Sequence, residues 1–106
     1  MTESEALRVL STLGLCKKAG RLLSGTPACC DAMRAGKLCA VIYAQTAAEN
    51  SKKRICDKAK TYSVPAFSLP VTPEALAKSV GKAGAVAAVG ITDEGFAGAL
   101  RKYWDN

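Results

Sequence analysis

The chain has 106 residues, nearly half of them apolar, and a formal charge of +6. One globular domain over 1–106 is expected, and disorder, a bilayer-spanning run and a secretory leader are argued against, since residues 1–5 are acidic and no apolar stretch is long enough. With no histidine present, Ser-His and Cys-His nucleophile pairs and mixed Cys-His metal sites are excluded.

Thr2, with Glu5 three residues on, reads as a capping box for a first helix over 4–19. Leu7, Leu10, Leu13 and Gly14 mark its apolar face, Lys17 and Lys18 suit its last turn, and Gly20 closes it. A short strand over 21–24 follows. Gly25 frees the backbone to turn sharply. Thr26 is expected to cap a second helix, and Pro27 suits its first position. Cys29, Ala32, Met33 and Gly36 fall at i, i+3, i+4 and i+7, which is one buried face, and Gly36 ends the helix.

Residues 38–44 are apolar and uncharged without alternation, as in a central strand buried on both faces. A turn over 45–48 leads into a third helix over 48–62, with Lys52, Ile55, Cys56, Ala59 and Tyr62 along one side. Pro65 breaks it, and 66–69 reads as a strand near a sheet edge. Thr72 and Pro73 start a fourth helix that turns Leu76 and Val80 inward and stops at Gly81. Residues 82–84 form a flexible basic loop. The strand expected over 85–91 is rich in small residues, so that helices can approach closely. Thr92 and Asp93 cap a last helix with Phe96, Ala99, Leu100 and Tyr103 inward, and Trp104 covers the core edge. Strands alternating with helices imply an α/β sheet covered on both faces.

Charge is concentrated. Residues 17–60 hold ten basic residues (Lys17, Lys18, Arg21, Arg34, Lys37, Lys52, Lys53, Arg54, Lys58 and Lys60) against three acids, a net +7. Such an excess points to a polyanion, most simply nucleic acid. The turn at Gly25 leaves a helix N-terminus open beside Lys17, Lys18 and Arg21, and free amides at the positive end of a helix dipole attract anions. No phosphate-loop or dinucleotide fingerprint is present, and the acids are scattered. Ser24-Gly25-Thr26 can hold one phosphate at most. The five cysteines lack a C-x-x-C pair and read as reduced, largely apolar residues. Cys30 falls in the first turn of a helix, where a thiolate is favoured, but no base is visible for it. No enzyme activity, cofactor or metal is expected.

Segments 13–25, 34–37, 47–53, 62–65, 80–82 and 91–97 together resemble the kink-turn RNA-binding ribosomal proteins, the L-seven-Ae and L-thirty-e superfamily, and within it the small bacterial YlxQ-like branch. The motifs keep the family's order and spacing over nearly the whole chain. The resemblance implies a three-layer α-β-α sandwich around a mixed four-stranded sheet. It implies a non-enzymatic, cytoplasmic, monomeric protein that binds structured RNA, such as ribosomal or kink-turn RNA, through the N-terminus of the second helix and the loop before the last strand. The matching positions are Ser24, Gly25, Thr26, Pro27, Ala28 and Asp31 on the helix side and Lys82, Ala83 and Gly84 in the loop. Lys18, Arg21, Arg34 and Lys37 are added as phosphate contacts. Kink-turn readers of the family carry an Asn-Glu pair and, three residues after the Glu, a Lys. The positions here are Pro27, Ala28 and Asp31, which offer none of those groups. That departure opens an alternative: a protein-interaction module that has lost kink-turn recognition and uses the uncharged surface of 26–30. A redox role for Cys29 and Cys30 is a third reading.

Overall fold

A computed structural model describes residues 1–105. The elements are α1 (Glu3–Lys18), β1 (Leu22–Ser24), α2 (Thr26–Arg34), β2 (Ala40–Ala44), α3 (Glu49–Thr61), β3 (Ala66–Leu69), α4 (Pro73–Ser79), β4 (Ala88–Ile91) and α5 (Glu94–Arg101). The strands form one sheet in the order β1-β4-β2-β3. β4 runs antiparallel to both β1 and β2, and β2 and β3 are parallel, so the sheet is mixed.

The two central strands alternate between faces. Ile42, Ala44, Val89 and Ile91 join α1, α4 and α5 in one core cluster, which includes Leu13, Leu76 and Leu100. Val41 and Ala88 point the other way, into a second cluster with Cys29, Met33, Ile55 and Ala59 of α2 and α3. A strand with apolar residues on both faces needs helices on both sides. The result is the expected α-β-α sandwich. Small residues set how closely one layer lies on the sheet. A Cβ at Gly90 would fall 2.7 Å from Leu38 Cδ1 and 3.3 Å from Cys29 Sγ.

The capping box at Thr2 is formed, with Glu5 N donating to Thr2 Oγ1 at 3.1 Å and Thr2 N to Glu5 Oε1 at 2.9 Å. The Thr2 amide holds the Glu5 carboxyl below its ordinary value. Thr72 and Asp93 cap α4 and α5, accepting from Ala75 N and Phe96 N. Trp104 lies over the core edge: its ring stacks on Phe67 at 4.9 Å, and its Nε1 donates to Ser68 O at 2.7 Å.

Several expectations shift. The buried stripe of α1 is Ala6, Val9, Leu13 and Cys16, whereas Leu7 is 59% exposed. Leu13 belongs to the stripe that meets the sheet, while Leu7 is rotated away from it. Tyr62 lies past the end of α3 and is exposed, and so is Ala99 of α5. The last strand begins at Ala88 rather than at 85, because Val86 N donates to Pro73 O and is drawn out of the ladder.

Candidate nucleic-acid interface

Strand order brings three distant segments together. Gly25 N donates to Ala88 O at 2.9 Å, which ties the end of β1 to the start of β4. Ala44 N donates to Ala87 O at 2.9 Å, which ties the end of β2 to the same place. α2 leaves from the first junction and α3 from just beyond the second. The chain from Lys82 to Ala87 therefore passes between two helix N-termini. Together they enclose an open cleft of about 670 Å³, lined by Ser24, Gly25, Thr26 and Pro27, by Asn50, Ser51 and Arg54, and by Lys82, Ala83, Ala85, Val86 and Ala87.

The turn into α2 is made by Gly25 at φ 101°, ψ 148°. That region is closed to other residues without strain. Because the chain turns at Gly25, Gly25 itself takes the N-cap position and Thr26 begins the helix. The expected Thr26 cap is not formed. Neither α2 nor α3 has a side-chain cap, while α1, α4 and α5 all do. First-turn amides have no partner within their own helix. In α2 the Cys29 amide reaches Gly25 O, Pro27 has no N–H, and the amides of Thr26 and Ala28 have no intrahelical acceptor. No carboxylate lines the cleft among the described residues, and Arg54 and Lys82 bring two cations. Ser24 Oγ is shielded from solvent and has no hydrogen-bond partner among the described residues. Amides and cations on one concave surface suit an anion.

The expected site residues divide. Ser24, Gly25, Thr26, Pro27, Lys82 and Ala83 line the cleft, and Ala28 and Gly84 adjoin it in the chain. Arg34 and Lys37 stand at the other end of α2, roughly 12 Å along its axis from Thr26. Arg21 is at that far end too, its carbonyl accepting from Thr92 N beyond β4. Lys18, with Lys17, borders a different groove, between α1 and α4. The expected cluster of Lys17, Lys18 and Arg21 around the α2 N-terminus is therefore not formed. Asp31 is on the outer face of α2, paired with Arg34 at 2.8 Å. Asn50, Ser51 and Arg54 on α3, and Ala85, Val86 and Ala87 before β4, are the cleft residues outside the expected set. On α3 the signals were Arg54 in the basic window and Asn50 and Ser51 in the resembling segment 47–53.

The uncharged surface expected over 26–30 is smaller than its sequence implied, because Cys29 and Cys30 are both buried. Burial, with Cys30 adjacent, pushes the Cys29 thiol up to about 12. The opening of α2 thus presents no thiol for redox chemistry. No group of three or more Cys, Asp or Glu is placed to hold a metal ion among the described residues.

The architecture and the sequence both have relatives. The model of the ribosomal protein L7Ae/L30e/S12e/Gadd45 family matches residues 8–101. The chain is 35% identical over 97 residues to an Enterococcus faecium protein named RNA-binding protein YlxQ, covering 92% of this chain and 91% of that one. A Bacillus subtilis protein of the same name is 32% identical over 93 residues, covering 88% and 91%. A Bacillus halodurans protein of unknown function has a solved structure that superposes with a TM-score of 0.83 at 30% identity, over 92% of this chain and 97% of that one. The Giardia lamblia 15.5 kD RNA binding protein shares the fold, with a TM-score of 0.76 at 15% identity over 96% and 86%. By family model, identity and fold together, the chain belongs to the L7Ae/L30e/S12e/Gadd45 ribosomal protein family, in its YlxQ-like branch.

Proposed function

We propose that this protein binds structured RNA in the cleft between α2, α3 and the loop before β4, by contact alone and without a catalytic step. The observation that carries the reading is the convergence of two uncapped helix N-termini, Arg54 and Lys82 on one cleft whose lining holds no carboxylate among the described residues. Support comes from the two relatives named as RNA-binding proteins and from the basic excess over 17–60. Phosphates are held by the amides of Thr26 and Ala28 and by the two cations. The Asn50 side chain supplies polar contacts to sugars or base edges.

The RNA element is a sharply bent one of kink-turn type, in a cytoplasmic, ribosomal setting, and the protein acts as a monomer. With Pro27, Ala28 and Asp31 on α2, recognition rests on backbone shape and phosphates more than on base readout. A titration against a kink-turn RNA and an unkinked duplex of equal length, at about 50 and 200 mM salt, tests this. Binding is expected at the lower salt, weakened by orders of magnitude at the higher, with the kinked RNA preferred. No binding at low salt would overturn the proposal.

A further inference from the structure

Leu7 and Leu15 are each 59% exposed, more than any other large apolar side chain among the described residues. Both line one open groove of about 910 Å³ between α1 and α4, whose floor includes Leu10 and Val80. The groove lies on the opposite side of the sheet from α2 and α3. Gly14 brings its walls together: a Cβ there would fall 3.0 Å from Ser79 O. A mid-helix glycine costs about 1 kcal/mol against alanine, so its place here reflects that close approach.

Lys17, Lys18 and Lys78 rim the groove, and no carboxylate lines it among the described residues. None of the three lysines forms an ion pair among the described residues. We infer that this groove docks an acidic amphipathic helix of a partner protein, apolar on the face that enters and carrying Asp or Glu on its flanks. The inference does not rest on the RNA reading.

Charge and shape select this occupant. A second copy would bring its own lysine rim against this one in a chain of net charge +6. An RNA backbone gains nothing from a leucine floor. A wall on each side made by a helix, with no free strand edge in the groove, fits a helix laid into it. From Leu7 to Lys18 the groove runs roughly 16 Å along α1, enough for about three helical turns. Its end at Gly81 adjoins Lys82 of the cleft, so the docked helix would sit beside bound RNA without sharing its contacts.

A display library of random helices about four turns long, selected against the full chain, tests the inference. Enriched sequences should carry apolar residues at i, i+3 or i+4, and i+7, flanked by Asp or Glu. Amide shifts in the protein on adding a selected peptide should map to α1 and α4. Leu15→Glu, and separately Lys17→Glu with Lys18→Glu, should weaken that peptide at least about tenfold, while Arg54→Ala leaves it unchanged. Leu15 is exposed, so its variant should melt like the parent; should it unfold, the shift map on the parent chain decides. Basic or uncharged enriched helices, shifts elsewhere, or no enrichment would overturn the inference. So would Leu15-dependent binding of anionic vesicles in place of peptide, or Leu15-dependent self-association in sedimentation. RNA affinity that survives Leu15→Glu keeps the two surfaces distinct.

Discussion

Arg34 Nη2 donates to Asp31 Oδ1 at 2.8 Å, one turn along the outer face of α2, with the two side chains 66% and 75% exposed. The pair ties up a cation that would otherwise extend the positive surface, and it puts a carboxylate one helical turn beyond Pro27. An exposed i,i+3 pair of this kind stabilises a helix by only a few tenths of a kcal/mol. Asp31→Lys should therefore leave the melting temperature nearly unchanged. It shifts local charge by two units and frees Arg34. RNA affinity should rise by about 1 kcal/mol at low salt and by less at high salt. Titrations of parent and variant at two salt concentrations check it; an unchanged affinity would remove the outer face of α2 from the RNA surface.

Position within the fold should decide which cations matter. Arg54→Ala and Lys82→Ala, in the cleft, should each weaken RNA binding and lower the slope of log affinity against log salt by about one. Arg34→Ala and Lys37→Ala, at the far end of α2, should change both much less. If the four variants behave alike, the basic face acts as a diffuse field and not as a site.

Gly25→Ala tests the turn. Nothing lies within 4 Å of a Cβ placed there, so the cost comes from the backbone at φ 101° and not from a clash. About 1–3 kcal/mol of stability should be lost. The first turn of α2 should also be re-aimed, weakening RNA binding beyond the loss of stability. Chemical denaturation and a titration under folded conditions separate the two effects.

Gly90 and Leu38 should be coupled. Gly90→Ala forces Leu38 and Cys29 apart and should cost about 1–3 kcal/mol. Leu38→Ala alone should cost a similar amount through lost burial. In the double variant the new methyl enters the space vacated, so the combined loss should fall short of the two losses added together. Strict additivity would show that α2 yields as a unit.

Alkaline pH should destabilise the fold through the buried thiols. Burial, with the charge of Asp93 behind it, pushes Cys16 up to about 11, and burial pushes Cys29 up to about 12 from an ordinary 9.0. The folded state thus holds protons that the unfolded chain releases above pH 9. This contribution is complete below pH 9, falls as pH rises, and is gone above about pH 12. Denaturation midpoints of the parent and Cys29→Ala, compared from pH 8 to 11, should show a shallower alkaline decline in the variant.

Much of the architecture was legible because single residues carry it. Gly20, Gly36 and Gly81 all adopt positive φ where a helix was expected to end. Thr2, Thr72 and Asp93 cap where expected. The two uncharged apolar runs supply the central strands, because only a strand covered on both faces tolerates them. The candidate site was half legible. Gly25 and the loop at Lys82 were named, yet Arg54 was not, since its place beside them depends on β4 inserting between β1 and β2. A count of charge along the chain also ignores direction. α2 runs back along the sheet, which carries Arg34 and Lys37 away from the end where it begins. Leu7 misled because Ala6 and Val9, which do the packing, are the smaller side chains.

The indole of Trp104 bears on what the outer margin of the sheet can pair with. In the parallel pairing of β3 with β2, the carbonyls of Pro65 and Leu69 accept from Val41 and Gln45, so that of Ser68 points outward from the margin of the sheet. Trp104 Nε1 occupies it. An open strand margin is a template for another chain to add to. The opposite margin, β1, is only three residues long and offers little template. On the longer one, a side chain 36 residues away takes up the Ser68 carbonyl, so the C-terminal turns that look like a mere appendage to α5 leave one group fewer for a further strand to pair with.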